Sequence, residues 1–139
     1  MHKKAVRTAA LALVIMLMGV AAAHAADSRV GSGVPYSFDI KYSVIGTTYH
    51  TFYSGSATVT GKATAYNTNT GGTITPKGTF KVGQYPGASS PNMLVTGTTR
   101  TCTMTGCWSG SRRVTVIRTD TGGYDPLYTA IRGSGYIKQ

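Results

Sequence analysis

From Tyr36 onward, apolar and polar residues change places at every second position over several stretches, and that period commits the chain to strands. In Tyr36 to Val44, the apolar Phe38, Ile40, Tyr42 and Val44 alternate with Ser37, Asp39, Lys41 and Ser43. Successive side chains of a strand point to opposite faces, so the pattern describes a ribbon with one side on a core and one in water. Thr47 to Tyr53 reads as a second strand after the break at Gly46. In Ser56 to Tyr66, Ala57, Val59, Ala63 and Ala65 face away from Thr58, Thr60, Lys62 and Thr64. In Thr73 to Val82, Ile74, Phe80 and Val82 oppose Thr73, Thr75, Lys77, Thr79 and Lys81. Helix formers are scarce, with no Glu and two Leu after residue 25, while Thr, Val and Tyr favour a pleated surface. No segment in this part of the chain keeps a helical period beyond two turns.

Turn chemistry predicts how these strands join. Asn67-Thr-Asn-Thr-Gly-Gly72 is a loop between two alternating runs, which predicts a hairpin with Val59 opposite Phe80 and Ala57 opposite Val82. A slip of one residue would turn every apolar side chain outward. Pro76 donates no ladder hydrogen bond and marks an edge or a bulge. A third hairpin is predicted around Cys102-Thr-Met-Thr-Gly-Cys107, with Met93 opposite Val116, Val95 opposite Val114 and Thr101 opposite Trp108. Leu127 to Ile137 reads as a last strand after the turn Thr121 to Pro126. The expected fold is all-β, a small antiparallel β-sandwich or barrel of about seven strands.

The N-terminus carries a different signal. Lys3, Lys4 and Arg7 precede an apolar run from Ala9 to Ala23, and Ala23-His24-Ala25 places small residues at the two positions a signal peptidase reads. The run is about 15 residues, short of the roughly 20 that span a bilayer, so the pattern is that of a secretory leader cleaved after Ala25. This divides the chain into a signal peptide over residues 1–25, a flexible polar tail over 26–34 and one β-rich domain over 35–139. The product is expected in the periplasm or the secreted space. In such a compartment an even cysteine count reads as a disulfide, so Cys102 and Cys107 are expected to be bonded. A loop that short contributes only about 2 kcal/mol.

Removing the leader changes the charge balance. Without Lys3, Lys4 and Arg7, 11 of the 14 Lys and Arg remain against four Asp, a net charge of +7. Such a field favours anionic partners. The anion-binding candidates are Arg100 and Arg113, expected on one polar hairpin face, Arg112 on the opposite face, and Lys62, Lys77 and Lys81 on the second hairpin. Arginine's fork matches phosphate, sulfate or carboxylate. Lysines on a strand face also serve simply as solvated guards against edge pairing. Nine tyrosines and the single Trp108 offer aromatic contacts, Trp108 being the candidate anchor.

Catalytic patterns are thin. After residue 25 the acid–base groups are His50, Asp27, Asp39, Asp120 and Asp125. Asp120-Thr121-Gly122 matches a protease tripeptide, but Arg118 and Thr119 replace the usual apolar residues before it, and the segment reads as a β-turn. Two carboxylates over Asp120 to Asp125 are few for a calcium ion. Gly61-Lys62 lacks the spacing and the hydroxyl of a phosphate loop. No cofactor and no metal are expected. The reading is an exported, basic, non-enzymatic binding protein whose partner is an anionic envelope component (lipid or polysaccharide) or an acidic protein. A membrane surface lies within that range; nucleic acid is disfavoured because an exported protein meets little of it. The alternatives are a structural subunit of a surface assembly, built by strand addition, and a secreted toxin or pore-forming subunit.

Overall fold

The alternating runs become strands in the computed structural model, which describes residues 33–75 and 78–139. The expected leader, tail residues 26–32, Pro76 and Lys77 lie outside the described residues. The described residues form eight strands: β1 (Val34–Ile40), β2 (Ser43–Phe52), β3 (Gly55–Asn67), β4 (Thr79–Tyr85), β5 (Met93–Leu94), β6 (Arg100–Cys107), β7 (Gly110–Asp120) and β8 (Thr129–Lys138). The strand expected to begin at Met93 is divided into β5 and β6, which raises the count from about seven. Val34, expected in the tail, opens β1 and is buried.

The strands form two four-stranded antiparallel sheets, ordered β1-β8-β3-β6 and β2-β7-β4-β5. This is the order of a jelly roll, a sandwich rather than a closed barrel. Every pair of strands consecutive in the chain, except β4 and β5, is divided between the two sheets.

That topology corrects the three expected hairpins. Val59 is paired with Cys102 and Ile137 instead of Phe80. Val116 lies between Val44 and Val82, and Met93 faces Phe80 along the β4–β5 ladder. Yet Val59, Phe80, Val82 and Val116 all belong to one buried core. Alternation tells which side chains turn inward. Inward residues meet across the sandwich as well as along a ladder, so both arrangements write the same pattern into the sequence.

The expected disulfide is also corrected: Cys102 and Cys107 are free thiols. Both lie on β6, opposite Val59 and Gly55 respectively. At about 3.3 Å per residue their Cα atoms are on the order of 15 Å apart, far beyond the roughly 4–7 Å a disulfide spans. The register shifts where Met104 faces Ala57 and Cys107 faces Gly55, a bulge that includes Gly106 at φ 69°. The bulge resets the parity, so Cys107 turns into the core like Met104. Burial pushes the pKa of both thiols up. Without reductant, the denatured protein is expected to take two maleimide labels while the native protein leaves Cys107 unlabelled. A denatured protein that takes none would carry the disulfide after all.

Three glycines shape the first sheet. On β8, Gly135 lies between Tyr36 and Gly61, and Gly133 between Phe38 and Ala63. The rings of Tyr36 and Phe38 lie over these bare positions, and the Tyr36 hydroxyl donates to Thr60 O at 2.9 Å. Desolvation raises the pKa of that phenol, so it stays a donor.

Candidate functional site

The second sheet turns an aromatic and basic face outward. Arg113 on β7 is opposite Tyr49 on β2 and Tyr85 on β4, so three side chains share one rung. Its guanidinium carbon lies 5.5 Å from the Tyr49 ring centroid and 5.3 Å from that of Tyr85. Cation–π attraction at both rings holds the fork in place. The rings remain 48% and 44% exposed, so they keep free surface for a partner. Arg113 Nε is buried without a hydrogen-bond partner.

Local irregularities create this rung. From Ile45, opposite Thr115, to Tyr49, opposite Arg113, β2 uses four residues where β7 uses two. The extra residues swing Tyr49 into line, and Thr115 Oγ1 donates to Val44 O at 2.9 Å beside the bulge. On the other flank the chain after β4 folds back over the sheet, with Gly83 bridged to Ser89. A Cβ on Gly83 would strike Ala88 O, so only glycine admits that approach. Gln84 Oε1 accepts from Ala88 N at 3.1 Å and Gln84 Nε2 donates to Trp108 O at 3.0 Å, which ties the fold-back to the β6–β7 connection. Between the two flanks runs a cleft of about 360 Å³, lined by Ser43, Ile45, Thr115, Ile117, Tyr85, Pro86 and Ser89 among others.

The five cationic candidates among the described residues do not gather into one site. Arg113 and Arg100 fall on different sheets, Arg100 being exposed at the start of β6. Arg112 is committed internally: it donates to the carbonyls of Trp108, Pro86 and Ser109 at 3.3, 3.2 and 3.0 Å and stacks on the Trp108 ring at 5.1 Å. Trp108 is exposed, but its backbone is fixed to Gln84 and its ring carries Arg112. Lys81 is opposite Ile117 at the cleft's end, on the same sheet as Arg113. Lys62 is on the other sheet, and Lys77 lies outside the described residues. Arg118, 9% exposed, donates to Thr129 O and Oγ1 at 3.1 and 3.2 Å, and burial lowers its pKa.

The outer face of the first sheet bears a second cluster, most of it unsuspected from sequence. Arg132 on β8 faces Asp39 and Thr64, and Ser134 faces Ser37 and Lys62. Arg132 sits 4.5 Å from the Tyr66 ring centroid, and Tyr66 donates its hydroxyl to Asp39 Oδ1 at 2.5 Å. That hydrogen bond, above all, raises the Tyr66 pKa. A shallow depression of about 510 Å³ is lined by Lys62, Arg132, Asp39, Thr64 and Ser134, with Gly133 and Phe38. The alternation of Ile131, Gly133 and Gly135 with Arg132, Ser134 and Tyr136 was the available clue to Arg132.

Among the described residues the acid–base groups do not converge. His50 is 1% exposed. Asp120 Oδ1 accepts from Gly122 N at 2.8 Å and Asp125 Oδ1 from Leu127 N at 2.9 Å, so both carboxylates close turns. Among the described residues no group of three His, Cys, Asp or Glu comes together to hold a metal ion. No protein-family model, curated protein or solved structure matches the chain.

Proposed function

We propose that the protein is an exported, non-enzymatic binding domain for an anionic partner, and that the Arg113 face of the second sheet receives it. The observation that carries this reading is Arg113 fixed between Tyr49 and Tyr85, the second of which also lines a cleft. Two rings hold the guanidinium in place, so little side-chain entropy is lost when an anion docks. The flanking tyrosines present flat apolar planes, and Ser43, Ser89 and Thr115 bring hydroxyls to the cleft. Among envelope lipid, polysaccharide and acidic protein, this set suits an acidic polysaccharide: sugar rings lie on the tyrosines while a carboxylate or sulfate meets the fork. The leader-like N-terminus and the charge of +7 without it support export toward such material. Thiols kept protonated by burial react slowly, which reconciles export with unpaired cysteines.

Heparin provides a probe with both sulfate and carboxylate. Arg113→Gln is expected to weaken heparin binding about tenfold, the loss of one charge-assisted contact. Arg100→Gln, the same charge change on the other sheet, is expected to weaken it less than about twofold. Equal losses for the two variants, or binding insensitive to salt, would reduce the effect to bulk charge or remove it.

A second reading, a subunit of a surface assembly, is favoured by one feature. β6 is the edge of its sheet, and from Thr101 to Met104, ahead of its bulge, it carries no Lys or Pro to deter strand addition. Concentration-dependent polymers in sedimentation experiments would support it, and a monomer at every concentration would exclude it.

A further inference from the structure

We propose that the protein is bivalent: the Lys62–Arg132 depression on the first sheet is a second site for acidic sugars, and the domain bridges two polysaccharide chains. This rests on the reading of the Arg113 face and extends it to the opposite side of the molecule. The two clusters are built alike. Each pins an arginine over a tyrosine ring, Arg113 between Tyr49 and Tyr85 and Arg132 at 4.5 Å from Tyr66. In the second cluster the ring is itself anchored, because Tyr66 donates to Asp39. Lys62 adds a second cation one rung along from Arg132, and Thr64 and Ser134 supply hydroxyls beside both. The remaining lone pairs of the Asp39 carboxylate suit sugar hydroxyls, which both donate and accept. A lipid phosphate or a phosphopeptide would gain nothing from that carboxylate.

The geometry forbids one joint site. The clusters occupy the outer faces of two sheets packed about 10 Å apart and point in opposite directions. A sugar unit seated on one cannot touch the other. Two outward-facing sites on one rigid domain therefore take two chains, or two distant segments of one, and the protein acts as a cross-link.

The test uses the whole protein with heparin and with a short heparin oligosaccharide. Calorimetry is expected to give about two oligosaccharides per chain, and about one for either Arg113→Gln or the double variant Lys62→Gln/Arg132→Gln. With the long polymer, light scattering is expected to peak at an intermediate ratio of protein to heparin and to fall when either is in excess. Both variants should bind heparin yet lose the peak. The substituted residues lie on outer faces, and unchanged melting temperatures verify that the fold is intact. One oligosaccharide per wild-type chain, or an undiminished peak in the Lys62/Arg132 variant, overturns bivalency while leaving the Arg113 reading in force. Wild-type protein that binds neither probe overturns both. Tighter saturation of the two faces by oligothymidylate or by anionic vesicles than by the oligosaccharide overturns the assignment to a polysaccharide.

Discussion

Gly135→Ala is expected to destabilise the domain by on the order of 3 kcal/mol and to lower its melting temperature by roughly 10–20 °C. A Cβ at this position would run into the backbone oxygen of Thr60 and lie 2.5 Å from the Tyr36 hydroxyl. Neither obstacle can withdraw easily. Thr60 O accepts the Tyr36 hydrogen bond, and β8 is held on both sides by β1 and β3. Relief requires shifting a central strand or expelling a buried phenol from its partner, and either disturbs the core of that sheet. Ser134→Ala, one residue away on the outer face, is expected to change stability by less than about 0.5 kcal/mol. Thermal melts followed by circular dichroism compare the two. A Gly135→Ala shift as small as that of Ser134→Ala would mean that the Tyr36 ring does not rest on the glycine.

Phe80→Ala should cost about 3–5 kcal/mol. Phe80 is fully buried on β4, its ring 5.5 Å from that of Phe38 and inclined at 41°. It also covers Gly61 on the opposite sheet, where an added Cβ would lie 3.3 Å from Cζ. One side chain thus joins the sheets where Gly61 offers no side chain, and its removal leaves a void between the Phe38 ring and the Gly61 backbone. Domains of this size hold only about 5–15 kcal/mol in all, so the variant approaches the limit of folding. Phe80→Leu, which keeps most of the volume, is expected to cost less than half as much. Urea unfolding midpoints separate the two variants. Equal midpoints for Ala and Leu would indicate a core that closes over the gap, contrary to the packing described.

What the sequence disclosed and what it concealed follow from one physical distinction. The period-two pattern reports the side to which a residue turns, and it placed Val59, Phe80, Val82 and Val116 in the core where the structure has them. It carries no record of which strand lies alongside. Nearest-neighbour hairpins were the economical inference from short turns, but β3 leaves its turn at Asn67–Gly72 with a single bridge, Tyr66 to Thr73, before the chain passes to the other sheet. The disulfide, expected from the even cysteine count of an exported chain, fixed the register of the third hairpin and misled it, because Cys102 and Cys107 lie along one continuous strand. For the site, Arg113 and Lys62 were legible as cations on outward faces. Tyr49 and Tyr85 were not legible as partners of Arg113, because that rung joins residues 64 and 28 positions away from it through non-consecutive strands. Arg112, equally prominent in the sequence, turned out to be spent on the carbonyls around Trp108.

β8, the last strand among the described residues, is a central strand of its sheet. Until β8 takes its place, β1 has no partner and β3 has only β6, so the first sheet stays open although every strand of the second sheet precedes β8 in the chain. Completion of the first sheet therefore awaits β8, and with it the closing of the sandwich. Proteolytic clipping at Thr129 would remove the middle of a sheet rather than fray its end, so the molecule has no shorter version of itself that could survive.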